Sequence, residues 1–282
     1  TYVSSMEPMQ NFFKTLKPLW EAEYDIRGTG EKIKIKDTKD EREKKDFIRT
    51  YTFDIRTKAC DTIRVLLPAA TLTNVGLFGN GRFFENMLTK LYSHPLQEMR
   101  DVAEEAHKAL NDVIPRYVKR AKRNEYLVSN EKRMQELSDR LLNNIEPWKS
   151  DEVELLKNII KPHKFTNYLL AQMLFSYSEH PIRQLRDIVA HLAEEDKQKI
   201  IDTYIGNRRN KKDRPGRALE FGYPLNFELV GNFGIYRDLH RHRMLTQMRQ
   251  RLTTRLGFHM PNEIIEAGFK DDILRIADKS SD

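Results

Sequence analysis

The chain has 282 residues, 39% of them apolar and 32% charged, and 49 Lys plus Arg against 42 Asp plus Glu give a formal net charge of +7. At about 150 residues per domain this is one large domain or two smaller ones, and 14 Phe, 11 Tyr and 2 Trp suffice for a core, which excludes wholesale disorder. The single cysteine, Cys60, excludes a disulfide framework and a multi-cysteine zinc site, no run approaches the roughly 18 apolar residues that span a bilayer, and no leader pattern opens the chain. A cytoplasmic protein without a membrane partner is expected. The chain opens on Thr1, not Met, and is read as a processed or truncated piece of something longer.

In chain order, Met9, Phe12, Phe13, Leu16 and Leu19 recur at near-helical spacing and predict a helix within residues 6–24. Residues 27–45 are Gly, Lys, Asp and Glu with almost no large apolar side chain, the composition of a mobile linker. Tyr51, Ile55, Ala59, Ile63 and Leu66 share one face of a helix over 48–67, which stops at Pro68. A loop over 69–79 leads to Asn80, a favoured helix N-cap, and Phe83, Phe84, Met87, Leu88 and Leu91 then form an apolar stripe. Arg82, Asn86 and Lys90 fall on the opposite face. Leu96, Met99, Ala103, Ala106, Leu110 and Val113 predict a second amphipathic helix, Pro115 a bend or end, and residues 119–144 a further charged helix. Residues 147–151 read as a break.

The later part predicts a strand at 153–160, helices at 167–177 and 182–192, a basic loop at 208–217, a strand at Phe227, Leu229 and Val230, and a helical turn over 233–240. Residues 244–252 alternate as a strand does. The mixture is α+β, mostly helical with a small antiparallel sheet.

Two constellations stand out. In Arg237-Asp238-Leu239-His240-Arg241-His242-Arg243 five of seven side chains can be positive. In a strand Arg241 and Arg243 point to one face, where two guanidinium forks can grip a phosphate or carboxylate. A solvated basic turn is the plain alternative, and flanking arginines disfavour a metal at the two histidines. The second constellation is Asn80, Arg82 and Asn86 at a helix start, where free amides and the dipole attract phosphate; an ordinary N-cap with an exposed Arg explains it equally well. The glycine spacing fits neither a Rossmann nor a Walker loop.

These residues resemble the flavin-dependent thymidylate synthases. Arg241-His242-Arg243 is similar to that family's signature triplet, and Arg64 with Leu67-Pro68, then Asn80, Arg82 and Asn86, then Ser93, His94 and Glu98, are similar to a second family segment. The resemblance implies an FAD-binding thymidylate synthase homologue that methylates dUMP to dTMP with methylenetetrahydrofolate and NADPH as co-substrates. It implies FAD contacts from Asn80, Arg82, Asn86, Arg241, His242 and Arg243, at a junction between subunits of a homo-oligomer. Arg64 is implied near the nucleotide, Lys90 stands by an expected nucleotide-side Arg, and Thr246 keeps the hydroxyl of a family Ser. No protein nucleophile is implied. Arg251 and Arg249 replace an expected Ser and Glu, which bears on dUMP more than on FAD.

The family places the triplet before the Asn-x-Arg block; here it follows by about 150 residues. A tandem protein accounts for this, with residues 1–147 as the back half of one unit and 148–282 as the front half of the next. The alternatives are a non-catalytic flavin or nucleotide-binding protein, a helical interaction protein, and a basic nucleic-acid-binding module motivated by Arg208, Arg209, Lys211, Lys212, Arg214 and Arg217. That last run is read as a solvated linker in preference, because it holds no aromatic side chain to stack on bases.

Overall fold

The computed structural model describes residues 2–25, 29–67, 71–156, 162–211, 213–221 and 225–281. Its elements run α1 (Tyr2–Leu16), β1 (Glu23–Asp25), β2 (Lys32–Lys34), α2 (Glu41–Ile63), α3 (Gly81–Tyr92), α4 (Gln97–Val113), α5 (Pro115–Val118) and α6 (Glu125–Leu141). They continue with β3 (Val153–Leu156), α7 (Pro162–Phe175), α8 (Ile182–His191), α9 (Glu194–Ile205), β4 (Asn226–Leu229), α10 (Phe233–Leu239), α11 (Asn262–Glu266) and α12 (Lys270–Ser281). The fold is α+β and mostly helical, with two antiparallel two-stranded sheets among the described residues. Residues 1–75 with 254–282 form one compact unit and residues 76–253 another. The boundary expected between residues 147 and 148 lies inside the second unit.

In the first unit, Tyr51, Ile55, Ala59 and Ile63 recur every four residues along α2 and are all buried. They pack with Met9 and Phe13 of α1, Ile264 of α11 and Ile273 of α12. Asp40 caps α2 by accepting from the Arg42 amide at 2.9 Å. Helix α1 ends earlier than its apolar spacing suggests, and the Glu21 and Ala22 amides bond to the Pro18 carbonyl in a turn.

The expected linker is structured where it is described. Tyr24 pairs with Ile33 across β1 and β2, and its ring meets Phe47 edge-on at 4.9 Å. Ile33 and Ile35 pack on the same core, and Lys34 pairs with Glu23 at 3.2 Å. Composition missed this hairpin because two well-placed isoleucines anchor it where an average counts only charges. Residues 26–28, Pro68 and residues 69–70 lie outside the described residues.

The second unit has a core from Met134 and Leu137 of α6, Leu170 and Leu174 of α7, Leu185 and Val189 of α8, and Ile200 and Tyr204 of α9. Leu88 of α3, Ala103 of α4 and Val118 of α5 make a smaller cluster. Helix α9 is not among the elements that apolar spacing predicts. Its charged sequence buries only Ile200 and Tyr204, one turn apart, while Glu194, Glu195 and Asp196 complement the dipole at its start. The charged helix expected from residue 119 begins at Glu125, because Asn124 caps it through the Tyr126 amide. The predicted strands pair as β3 with β4, Leu155 opposite Phe227; residues 157–160 of the expected strand lie outside the described residues.

The strand expected over 244–252 does not form. The Arg241 and His242 amides turn back to the carbonyls of Asp238 and Leu239, and Leu245 bonds to His242. The alternation has another cause. Met248 packs on the core, while the Gln247 and Gln250 side-chain amides bond to the carbonyls of Leu239 at 2.7 Å and His180 at 2.9 Å, where a ladder would have used backbone groups.

Candidate functional site

Helix α3 starts as its sequence dictates. Asn80 accepts from the Phe83 amide at 2.9 Å, so its side chain caps the helix and offers only its remaining amide hydrogens outward. Gly81 lets the Tyr117 ring lie against the first turn, where any Cβ would collide with it. Phe84, Met87, Leu88 and Leu91 face the small core, and Arg82, Asn86 and Lys90 are exposed at successive four-residue steps on the other side. That face presents two cations and an amide, a donor set suited to an anionic ligand.

The block that follows is a hydrogen-bonded turn. The Ser93 hydroxyl donates to the Thr89 carbonyl at 2.7 Å and accepts from the Asn124 amide at 2.9 Å. His94 Nδ1 accepts from the Leu96 amide at 3.1 Å, so the neutral ring carries its proton on Nε2. Arg100 donates to the His94 and Pro95 carbonyls, both at 2.7 Å, and to Gln97 at 2.6 Å. Ser93, His94 and Arg100 therefore share one local construction. Glu98 is exposed on α4.

The basic triplet follows α10, a helix capped by Asn232 through the Ile235 amide. Arg241, His242 and Arg243 are all exposed, and Arg241 lies 3.7 Å from Asp238. Because this segment is a turn, the same-face geometry expected of Arg241 and Arg243 in a strand does not apply. Thr246 is exposed, and the Arg249 guanidinium sits 5.2 Å above the Tyr236 ring. Arg64 belongs to the first unit, where it pairs with Asp61.

Two clefts open in the second unit. One, of ≈ 530 Å³, is lined by Tyr92, His94, Arg100, Arg123, Glu131 and Arg251 among others. The other, of ≈ 450 Å³, shares Glu131 and Arg251 with it and adds Tyr177, Arg249 and Gln250. Residues near 94 and near 251 thus border the same space. Neither cleft is lined by Asn80, Arg82, Asn86, Lys90, Thr246 or the triplet.

The charge of the larger cleft is unevenly balanced. Arg123 pairs with Glu125 at 3.0 Å and Lys132 with Glu136 at 3.8 Å, but among the described residues neither Arg100 nor Arg251 has a carboxylate at ion-pair distance. An anion entering there meets two guanidinium groups without a carboxylate partner, and also the Glu131 carboxylate, which borders the same space. In the smaller cleft, burial pushes the Tyr177 hydroxyl well above its ordinary value, so it stays protonated at neutral pH and presents an uncharged hydroxyl. Among the described residues no group of three or more His, Cys, Asp or Glu is arranged to hold a metal, and no helix is long and apolar enough to cross a membrane.

Arg251 is the cleft residue sequence reading undervalued. In the sequence it stands only where the resemblance expects a Ser, whereas the structure places it at the border of both clefts.

No family model matches the chain, and no solved structure matches it. It is similar to a UPF0159 protein of Chlamydia muridarum, 34% identical over 274 residues that cover 94% of this chain and 49% of that protein. A UPF0159 protein of Chlamydia pneumoniae is 35% identical over 252 residues, 86% of this chain and 45% of the relative. A third, from Thermoplasma acidophilum, is 27% identical over 265 residues, 92% and 50% of the two lengths. The chain spans about half the length of the curated relatives it matches.

Proposed function

We propose that the chain is part of a flavin-dependent protein of the thymidylate synthase type, which binds FAD and acts on a nucleotide. The observation that carries this reading is the exposed face of α3, where Arg82, Asn86 and Lys90 stand at four-residue steps beyond the Asn80 cap. The guanidinium groups of Arg100 and Arg251 in the larger cleft support an anionic ligand. On the exposed face of α3, Arg82 and Asn86 supply a charge and an amide to the FAD pyrophosphate, and Arg241 and Arg243 supply further charge. FAD, when bound, supplies the hydride chemistry, and methylenetetrahydrofolate and NADPH are the co-substrates in this reading. The residues of this chain bind and orient; none acts as a nucleophile.

In this reading the chain holds parts of two units of a tandem protein, for which relatives about twice as long leave room. Where the chain stands alone, a homo-oligomer completes the site. Lys90 then faces the nucleotide, dUMP in the parent reaction, with Thr246 as a hydroxyl donor. The lone Cys60 suits a cytoplasmic setting.

A second reading, a flavin or nucleotide-binding protein without synthase activity, is favoured by Arg249. Its guanidinium rests on Tyr236, in the position of the family's carboxylate. Incubation of the FAD-loaded protein with dUMP, methylenetetrahydrofolate and NADPH separates the two. Formation of dTMP supports the first reading; FAD retention without dTMP supports the second.

A further inference from the structure

We propose that the loop over residues 206–217 is a preformed contact surface for the phosphodiester backbone of duplex nucleic acid, a role independent of flavin binding. The run read as a solvated linker is built around a buried carboxylate. Asp213 is 4% exposed, and its Oδ2 accepts from the Arg209 amide at 2.8 Å and the Asn210 amide at 3.1 Å. The Asp213 carbonyl accepts from Arg208 Nε at 2.7 Å, and its amide bonds to the Asn210 carbonyl at 3.1 Å. Arg208 is therefore part of the scaffold.

Both ends of the loop are tied to α9. Gly206 has a φ of 62° and lies against the side chain of Asn130, which donates to the Tyr204 carbonyl at 2.9 Å. At the far end the Ala218 amide donates to the Tyr204 hydroxyl at 2.9 Å. Between these anchors Arg209, Lys211, Arg214 and Arg217 are exposed, and Arg217 reaches Glu220 only at 4.0 Å. Lys212 lies outside the described residues.

The partner follows from what the loop lacks. Residues 206–217 hold no aromatic or large aliphatic side chain. A protein partner lacks an anchor to bury, a bilayer lacks an inserting group, and single-stranded bases lack a stacking platform. Regularly spaced phosphates need only fixed cations, and an ordered backbone lowers the entropy cost of aligning them.

The test is fluorescence anisotropy of a labelled duplex of about twenty base pairs titrated with the whole chain, between roughly 50 and 200 mM salt. The expected log–log salt slope is about −3, for three or four phosphate contacts. The triple variant Arg209→Ser, Arg214→Ser, Arg217→Ser should bind about ten-fold or more weakly with a slope nearer zero. Asp213→Ala, which keeps every cation but frees the loop, should weaken binding measurably. Circular dichroism confirms that each variant is folded. Absence of duplex binding by the unaltered chain, equal affinity in the triple variant, or binding to polyglutamate in preference to duplex each overturns the proposal. FAD retention is expected to be the same in all three proteins.

Discussion

Ser93 accepts a hydrogen bond from the amide of Asn124 at 2.9 Å while donating to the Thr89 carbonyl at 2.7 Å, so a single hydroxyl joins the end of α3 to the start of α6. Those two helix ends carry residues that border the larger cleft, Tyr92 and His94 on one side and Val128 and Glu131 on the other. The cleft is thus held by a neutral hydrogen bond between segments 31 residues apart. Ser93→Ala leaves the Asn124 amide without its partner and should cost about 1–3 kcal/mol. Urea denaturation reads this as a lower midpoint at unchanged slope; an unchanged midpoint contradicts the structural role given to Ser93.

Asn80 separates capping from binding. Asn80→Ala removes the acceptor for the Phe83 amide and should destabilise by about 1 kcal/mol. Asn80→Asp keeps the acceptor and suits the helix dipole, so its thermal midpoint should match the unaltered protein. The added negative charge beside the α3 donors should nevertheless weaken FAD binding. Equal FAD affinity in Asn80→Asp would argue that this helix start faces no anionic ligand.

Glu228 gives stability a pH dependence with a definite sign. Its carboxylate is buried, caps α8 by accepting from the Ile182 amide at 2.8 Å, and lies opposite Glu154 across the β3–β4 pair. Burial pushes its carboxyl above the ordinary 4.5, the Ile182 amide opposes this, and the Glu154 charge adds to it. The folded state then holds the proton more tightly than the unfolded state. The associated stability is complete below pH 4.5 and is lost as pH rises through the elevated folded value. Glu228→Gln preserves an acceptor oxygen and should remove this part of the slope in denaturation profiles taken upward from pH 4.5. Parallel profiles for the two proteins would show that Glu228 does not titrate in this way.

Tyr204 is a fourth structural test. Its hydroxyl, pushed up to about 12 by burial, accepts from the buried Ala218 amide, the far-end anchor of the basic loop. Tyr204→Phe should cost about 1–3 kcal/mol and speed amide exchange at Ala218, because a buried donor is left unsatisfied. Hydrogen exchange unchanged at that amide would place the anchor elsewhere.

Local chemistry was readable in the sequence and tertiary chemistry was not. The Asn80 cap and the stripe of Leu88 and its neighbours depend on groups within one or two turns, and they form as expected. The β1–β2 hairpin and α9 escaped because each depends on two apolar residues meeting a distant core: Ile33 and Ile35 in one, Ile200 and Tyr204 in the other. The segment around Met248 shows the reverse error. Its sequence alternates, but side-chain amides from Gln247 and Gln250 hold it, with no partner strand among the described residues. The buried Asp213 was invisible among lysines and arginines, since only folding shows which charge of a run turns inward. The meeting of His94 and Arg251 at one cleft likewise needed the folded chain.

Flavin binding is tested most directly by equilibrium titration of FAD with the purified chain, following flavin fluorescence and the shift of its visible absorbance. The expected result is saturable binding near one FAD per completed site, weakened at least about ten-fold by Arg82→Ala with Asn86→Ala, whose side chains are exposed and hold no part of the core. A colourless protein that leaves the FAD spectrum unchanged at saturating concentration would contradict the proposed function.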